Sequence, residues 1–299
     1  MNDKLKNLLV RTASGAVLAV VVVGGLFLSP WSAAALGSLI MIGCLMEFYS
    51  LCRAAGYNPA RRMGAFIAML MFVSGACVPF ALSTAEDAPN VLAGMYNIYA
   101  AIGVSMGIIV AILALFIPII FVRELWRNHP TPIANISTTI GGLFYVALPM
   151  SLVPILSIML GGGKWSPWGV LIYVLLVWSN DVFAYLAGVT CGRHRMCERI
   201  SPKKSWEGFV GGILGSIGMA LLAGHLLHSN LLFWGGLGLV VSLSGVAGDF
   251  IESLFKRSVG VKDSGNILPG HGGFLDRFDA LIVSVPFAMF YILVFGGIK

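Results

Sequence analysis

The amino-acid sequence predicts an all-α, polytopic integral membrane protein, because of its composition and its long apolar runs. Of the 299 residues, 58% are hydrophobic and only 11% are charged, whereas a soluble protein is about 25% charged. The mean hydropathy is +0.90. The runs lack the alternation of apolar and polar residues that a barrel strand shows. A helix pairs its backbone groups within its own segment, so we expect a helix bundle in lipid.

The apolar runs predict about nine membrane-spanning helices, because a helix needs roughly 20 residues to cross the hydrocarbon core. The first run follows Lys4, Lys6 and Arg11, as in a signal peptide. No convincing cleavage site of the Ala-x-Ala type follows, so we expect a retained helix. The predicted spans are residues 12–29, 31–51, 63–82, 98–122, 133–159, 167–187, 208–228, 231–252 and 279–297.

Basic residues in the predicted loops indicate the orientation of the chain. If the N-terminus is cytoplasmic, every lysine and arginine except Lys164 and Lys299 falls on the cytoplasmic side. The positive-inside rule therefore predicts a cytoplasmic N-terminus and a C-terminus on the opposite side. The basic face would attract anionic lipid headgroups and nucleotides.

Charge density divides the chain into two predicted regions. Residues 1–165 form an N-terminal transmembrane scaffold region, in which Glu47 is the one acid in the middle of a span. Residues 166–299 are predicted to form a C-terminal transmembrane region with two long, charged loops, 188–207 and 253–278, where we expect any chemistry to lie. The first region could act as a scaffold, form a dimer contact or line a lipid cavity, and its sequence does not choose among these.

The end of the predicted eighth span carries the first candidate site. Asp249, Ser253 and Lys256 are spaced i, i+4 and i+7, which places them on one helix face. A carboxylate inside an apolar segment is costly unless it is paired or bound to a cation. The stripe, bordered by Glu252, predicts either a metal-and-phosphate site or a structural Asp–Lys pair.

The following loop adds Lys262, Asp263 and the sequence PGHGG at 269–273. Its glycines would let backbone amides approach an anion closely. His271 is a candidate hydrogen-bond donor to phosphate, although it could also be an ordinary loop residue. The loop therefore predicts a phosphate-binding segment.

Three charged residues stand at the start of the ninth span. Asp276 is predicted to share a cation with Asp249, as paired carboxylates do in phosphoryl-transfer sites. Arg277 follows it directly. Asp279 is expected to be an N-terminal helix residue that the helix dipole favours.

Asp181 is a further candidate, because it lies deep in the sixth span with Tyr185 at i+4 and Gly188 at i+7. A role with a cation or a substrate is favoured over a structural hydrogen bond, because burying a carboxylate in a membrane is costly.

The sequence SPKKS at 201–205 resembles a helix cap and first turn. Lys203 and Lys204 would then face anions near a helix start. Loop charge that merely follows the positive-inside rule explains them equally well.

Common nucleotide and hydrolase motifs are absent from the sequence. It has no Gly-x-x-x-x-Gly-Lys-Ser/Thr loop, no Gly-x-Gly-x-x-Gly loop and no His-Glu-x-x-His. It also has no nucleophilic serine elbow. Chemistry here would depend on metal ions and lysines rather than on a covalent intermediate.

The C-terminal motifs resemble those of a known family. The run from Ser253 to Asp279, SLFKRSVGVKDSGNILPGHGGFLDRFD, is similar to the signature of the phosphatidate cytidylyltransferases, also called CDP-diacylglycerol synthases. NDVFAYLAGVTCGR and ISPKKSWEG resemble two upstream blocks of the family, in the same order. The resemblance covers about residues 178–280.

The resemblance implies transfer of a cytidylyl group from CTP to phosphatidic acid, with release of pyrophosphate. It implies Mg²⁺ with a K⁺ ion, a homodimer, no nucleic-acid partner and a bacterial inner-membrane site that faces the cytoplasm. By the resemblance, Asp249, Ser253, Lys256 and Asp276 are catalytic. Asp249 and Asp276, with Asp181 as a further candidate, would hold metal. The expected substrate-binding residues are Lys203, Lys204, Arg257, Lys262, Asp263, His271, Gly272, Gly273 and Arg277.

Two alternatives remain open on the sequence alone. A CTP-dependent lipid kinase would transfer the terminal phosphate and release CDP. A cation-coupled transporter would use Asp181 and Asp249 and would need broken helices in both halves. The near absence of charge in the first half disfavours the transporter.

Overall fold

The computed structural model describes residues 3–83, 91–267 and 272–296, with side chains described for 15–77, 99–267 and 272–296. The fold is an all-α membrane bundle with one short hairpin. Its elements are α1 Asp3–Leu28, α2 Pro30–Ala54, α3 Arg61–Ser83, α4 Val91–Arg127, α5 Pro132–Gly142, a π-helical turn Leu143–Ala147, α6 Leu148–Leu160, α7 Pro167–Cys191, β1 Arg195–Cys197, β2 Ser201–Ser205, α8 Trp206–Leu226, α9 Leu231–Ser258 and α10 Leu275–Phe295.

Within the described parts of the chain, seven helical spans are long and apolar enough to cross a membrane. Two further helices, α1 and α3, overlap predicted spans, but their side chains are described only in part. The predicted class is therefore confirmed, while the total of nine spans and the orientation of the N-terminus stay predictions.

Helices α7, α8, α9 and α10 pack in sequence order, and α10 also contacts α2 and α6 from the first half of the chain. Helices α7 and α9 end, and α8 and α10 begin, at one end of the bundle. The connecting residues 192–205, 259–267 and 272–274 therefore lie together at this end.

Small residues bring α7 and α8 close together. A Cβ atom on Gly211 would collide with Ala187, and one on Gly212 would lie 2.7 Å from Asn180 Oδ1. Glycines allow this close approach of helix backbones, as is common between membrane helices. The approach fixes the spacing of the two helices that flank the candidate site.

Gly211→Leu is therefore expected to destabilise the bundle, by about 1–3 kcal/mol for overpacking, and to lower any activity of the site. The matched control is Gly218→Leu on the same helix, since a Cβ there meets nothing within 4 Å. Thermal unfolding in detergent, monitored by size-exclusion chromatography of heated samples, measures the difference in stability between the two variants. Equal unfolding temperatures for the two variants would contradict the close α7–α8 contact.

The prediction for SPKKS was wrong, because residues 201–205 form strand β2 rather than a helix cap and first turn. This strand pairs antiparallel with β1, with Arg195 opposite Ser205 and Cys197 opposite Ser201. The cap of α8 is Ser205, whose Oγ accepts a hydrogen bond from Gly208 N at 3.1 Å. Both serines can cap a helix, and the one directly before the apolar run does so.

The start of the last helix also differs from the prediction. Helix α10 begins at Leu275, four residues before the predicted apolar span. Asp276 therefore occupies the first turn, and Asp279 lies one turn further on and is buried. The helix begins before the apolar run because its first turn, which carries Asp276 and Arg277, lies at the end of the bundle.

Candidate functional site

A cleft of about 510 Å³ opens between α7, α8, α9 and the β1–β2 hairpin. Its charged lining residues are Asp181 of α7, Asp249 of α9, and Arg195, Lys203 and Lys204 of the hairpin. The cleft thus combines two carboxylates with three cations at the end of apolar helices. Such a mixture can hold a phosphate group and a metal ion together.

Asp249 lies between the hairpin and its own helix. Lys204 Nζ pairs with Asp249 Oδ2 at 2.5 Å, and Ser253 Oγ donates to Asp249 Oδ1 at 3.3 Å. The ammonium of Lys204 also lies 4.4 Å from the ring centre of Phe250. The Asp249 side chain is 37% exposed, so this carboxylate remains open to a ligand in the cleft.

The predicted stripe on α9 is present for Asp249 and Ser253, whereas Lys256 turns toward a second cluster. Its ammonium pairs with Glu252 on the same helix and, at 2.6 Å, with Asp276 Oδ1 on α10. Glu252 is fully buried. The two carboxylates and the ammonium join α9 to the first turn of α10.

Asp276 is held on both oxygens. Its Oδ1 accepts from Lys256, and its Oδ2 accepts from the backbone N–H groups of Ser264 at 2.9 Å and Gly273 at 2.8 Å. Gly272 has φ +81°, and a Cβ there would lie 2.6 Å from Asp276 Oδ2. The loop before α10 is thus folded onto the Asp276 carboxylate.

The two carboxylates predicted to share a metal ion lie in different clusters, Asp249 with Lys204 and Asp276 with Lys256. Asp279 lies close enough to both clusters to interact electrostatically with Asp249, Asp181 and Lys256. Within the described residues, no group of three or more His, Cys, Asp or Glu side chains is arranged to hold a metal ion.

The remaining predicted residues have different environments. Lys203 lines the cleft, and Arg277 interacts electrostatically with Asp181. Lys262 and Asp263 are exposed on the loop before α10, and Gly273 at the end of this loop is buried. His271 lies outside the described residues.

Arg257, predicted to bind substrate, contacts backbone in this structure. Its Nη1 donates to Val261 O at 3.0 Å, and its Nε donates to Ile200 O at 3.4 Å. The bond to Ile200 attaches the turn of the hairpin to the end of α9, and the bond to Val261 holds the residues that follow this helix. On the other side of the hairpin, Glu207 accepts from the backbone N–H groups of Arg193 and His194. The hairpin that carries Lys203 and Lys204 is therefore anchored at both ends.

Sequence reasoning missed three residues of the site. Arg195 was counted only as loop charge, although it lines the cleft. Asn180 is buried beside Asp181. Its Nδ2 donates a weak hydrogen bond to Asp181 Oδ1 at 3.5 Å, and its Oδ1 accepts from Ser242 Oγ at 2.6 Å. Glu47 of α2 binds the loop before α10. An acid in the middle of an apolar span is the signal that could have identified Glu47.

Fold and site together define a polytopic membrane protein with a charged cleft at one end of its helices. The chain belongs to the cytidylyltransferase family, whose family model matches residues 9–295.

Curated proteins similar to this chain include three bacterial phosphatidate cytidylyltransferases. That of Rickettsia bellii is 36% identical over 157 residues, which cover 50% of this chain and 66% of the relative. That of Aquifex aeolicus is 44% identical over 133 residues, which cover 44% and 49%. That of Staphylococcus aureus is 48% identical over 114 residues, which cover 38% and 44%. The matched segments thus span less than two thirds of each relative's own length.

Proposed function

We propose that this protein is a phosphatidate cytidylyltransferase, which converts CTP and phosphatidic acid into CDP-diacylglycerol and pyrophosphate. The observation that carries the proposal is the cleft, in which Asp181 and Asp249 face Lys203, Lys204 and Arg195 at the end of membrane helices. A lipid phosphate at the bilayer surface and a soluble triphosphate can both reach such a position. The motif resemblance and the family membership agree with this reaction.

The chemistry requires positioning and charge neutralisation rather than a general base. A phosphate monoester loses its second proton near pH 6, so the phosphatidate oxygen is already a nucleophile at neutral pH. This oxygen attacks the α-phosphorus of CTP in line, and the bond from that phosphorus to the bridging oxygen breaks as pyrophosphate leaves. Lys203, Lys204 and Arg195 would neutralise the repelling phosphates.

The donor set of the cleft fits Mg²⁺, which is usually held by one or two carboxylates together with substrate phosphates. Asp249 and Asp181 supply such carboxylates on the cleft wall. Bound there, Mg²⁺ would offset charge on the phosphate oxygens. Asp276 already accepts from Lys256 and from two backbone amides. Its predicted sharing of a metal with Asp249, and the K⁺ ion, stay predictions.

Location and assembly follow from the same proposal. A basic loop face is typical of the cytoplasmic side, so the cleft would open to the cytoplasm from a bacterial inner membrane. There it would meet CTP, and a homodimer is the expected assembly.

A product assay with purified protein in detergent tests the proposal. With phosphatidate, Mg²⁺ and CTP labelled at either the α- or the γ-phosphate, we expect the α-label in the lipid and release of pyrophosphate. Omission of Mg²⁺ should abolish the conversion. A γ-label in the lipid with release of CDP would identify a lipid kinase instead, and no lipid labelling would overturn the proposed reaction.

A further inference from the structure

Glu47 is a buried acid in the second half of the apolar helix α2, with 5% of its surface exposed. A carboxylate in this position is costly unless its oxygens are satisfied. They accept from Ser264 Oγ at 2.8 Å, Phe274 N at 3.0 Å and Leu275 N at 2.8 Å. All three donors belong to the loop before α10 or to the start of that helix, more than 200 residues further along the chain.

Two of these donors are backbone N–H groups at the N-terminus of α10. The cap residue of this helix is Phe274, which has no side chain able to accept from the helix. Unpaired amides at a helix start need an acceptor, and a carboxylate there interacts favourably with the helix dipole. Glu47 therefore supplies from α2 the cap that α10 lacks in its own sequence.

The loop bound by Glu47 is the loop that also binds Asp276. Ser264 donates its hydroxyl to Glu47 and its backbone N–H to Asp276. Gly273 donates its N–H to Asp276, while the next two residues donate theirs to Glu47. Both ends of the loop are thus fixed by the same two carboxylates, and Asp276 in turn holds Lys256.

Packing around Glu47 leaves its carboxylate little room to move. A Cβ atom on Gly265 or on Gly273 would collide with the carboxylate oxygens. On the same helix, a Cβ on Gly43 would lie 2.8 Å from the ring of Phe274. The loop and α2 therefore fit closely, and the position of the Glu47 carboxylate determines where the loop lies.

We propose that Glu47 is a positioning residue, which fixes Ser264 and residues 273–275 so that Asp276 and Lys256 keep their places at the end of the bundle where the cleft opens. The proposal assigns a specific task to the N-terminal region, and its kinetic part rests on the proposed function. Glu47 acts through Asp276 and has no contact with substrate in this scheme.

Glu47→Gln tests the proposal with little change in side-chain size. The amide nitrogen cannot accept a hydrogen bond, so at least one backbone N–H of the α10 start loses its acceptor. The matched control is Glu124→Gln, another buried acid of the first half, which pairs with Arg127 and Asn135 away from this loop. Both variants remove one buried negative charge.

Hydrogen exchange in detergent supplies a measurement that does not depend on activity. We expect faster exchange in peptides that contain Ser264 and Gly273–Leu275 for Glu47→Gln, and unchanged exchange there for Glu124→Gln. Unchanged exchange in Glu47→Gln, or equal acceleration in both variants, would overturn the proposal. This comparison holds even if the protein fails to transfer a cytidylyl group.

Measurements of kcat and KM then distinguish a positioning role of Glu47 from a general loss of stability. We expect Glu47→Gln to lower kcat about 10- to 100-fold, as losses of supporting contacts around a site often do, with KM for CTP changed less than about threefold. A change in KM alone would contradict the assignment.

If Glu47→Gln does not fold, Gly265→Ala tests the same contact, because its added Cβ displaces the Glu47 carboxylate. Loop exchange equal to wild type in that variant would likewise overturn the proposal.

Discussion

Asp249→Asn is expected to lower kcat/KM for cytidylyl transfer by about 10²- to 10³-fold, the usual effect of removing one charged group that stabilises a transition state. The variant keeps the size of the side chain and the hydrogen bond from Ser253, but it loses the negative charge that Lys204 pairs with. It also removes one of the two carboxylates of the cleft that fit Mg²⁺. Initial rates at varied CTP, phosphatidate and Mg²⁺ measure the effect.

The matched control is Glu198→Gln, which removes the same charge from an exposed position in the turn of the hairpin. Its rates should stay within about threefold of wild type, because an exposed charge contributes little beyond the screened field. Wild-type activity in Asp249→Asn would refute the assignment of this residue. Equal losses in both variants would show that the effect comes from net charge at the bundle end rather than from the cleft.

The helices were largely predictable because each predicted apolar span overlaps a helix of the structure. Hydropathy reports burial in lipid, and it cannot report where a helix continues into polar residues. The start of α10 at Leu275 was missed for this reason. The strand at 201–205 was missed because a hairpin of this length depends on pairing with residues 195–197, which no local pattern specifies.

The site was predictable where the cost of burying a charge identified the residue. Asp181 and Asp249 were found in this way, and both line the cleft. The partners of each charge were less predictable, because they come from other helices. Helical spacing placed Lys256 on the stripe of Asp249, whereas in the fold it pairs with Glu252 and Asp276. Glu47 illustrates the limit, because its donors lie more than 200 residues away in sequence.

Lys256→Met is expected to destabilise the protein by about 3–5 kcal/mol, the usual cost of removing one partner of a buried ion pair. The ammonium lies between Glu252, which is fully buried, and Asp276, whose side chain is 7% exposed. Without it, the carboxyl groups of Glu252 and Asp276 would face each other between α9 and α10 and lose the ammonium that contacts both of them. Thermal unfolding in detergent measures the loss, and cytidylyl transfer should fall with it.

A second substitution separates this electrostatic cause from lost packing. Glu252→Gln in the Lys256→Met background replaces one of the two facing carboxyl groups with an amide that can donate to Asp276, so it should restore part of the stability. The control is Lys262→Met, since Lys262 is exposed on the loop and a surface substitution of this kind changes stability by less than about 0.5 kcal/mol. If Lys256→Met and Lys262→Met unfold at the same temperature, Glu252 and Asp276 do not need the ammonium. Lys256 would then be available to a substrate phosphate instead of joining α9 to α10.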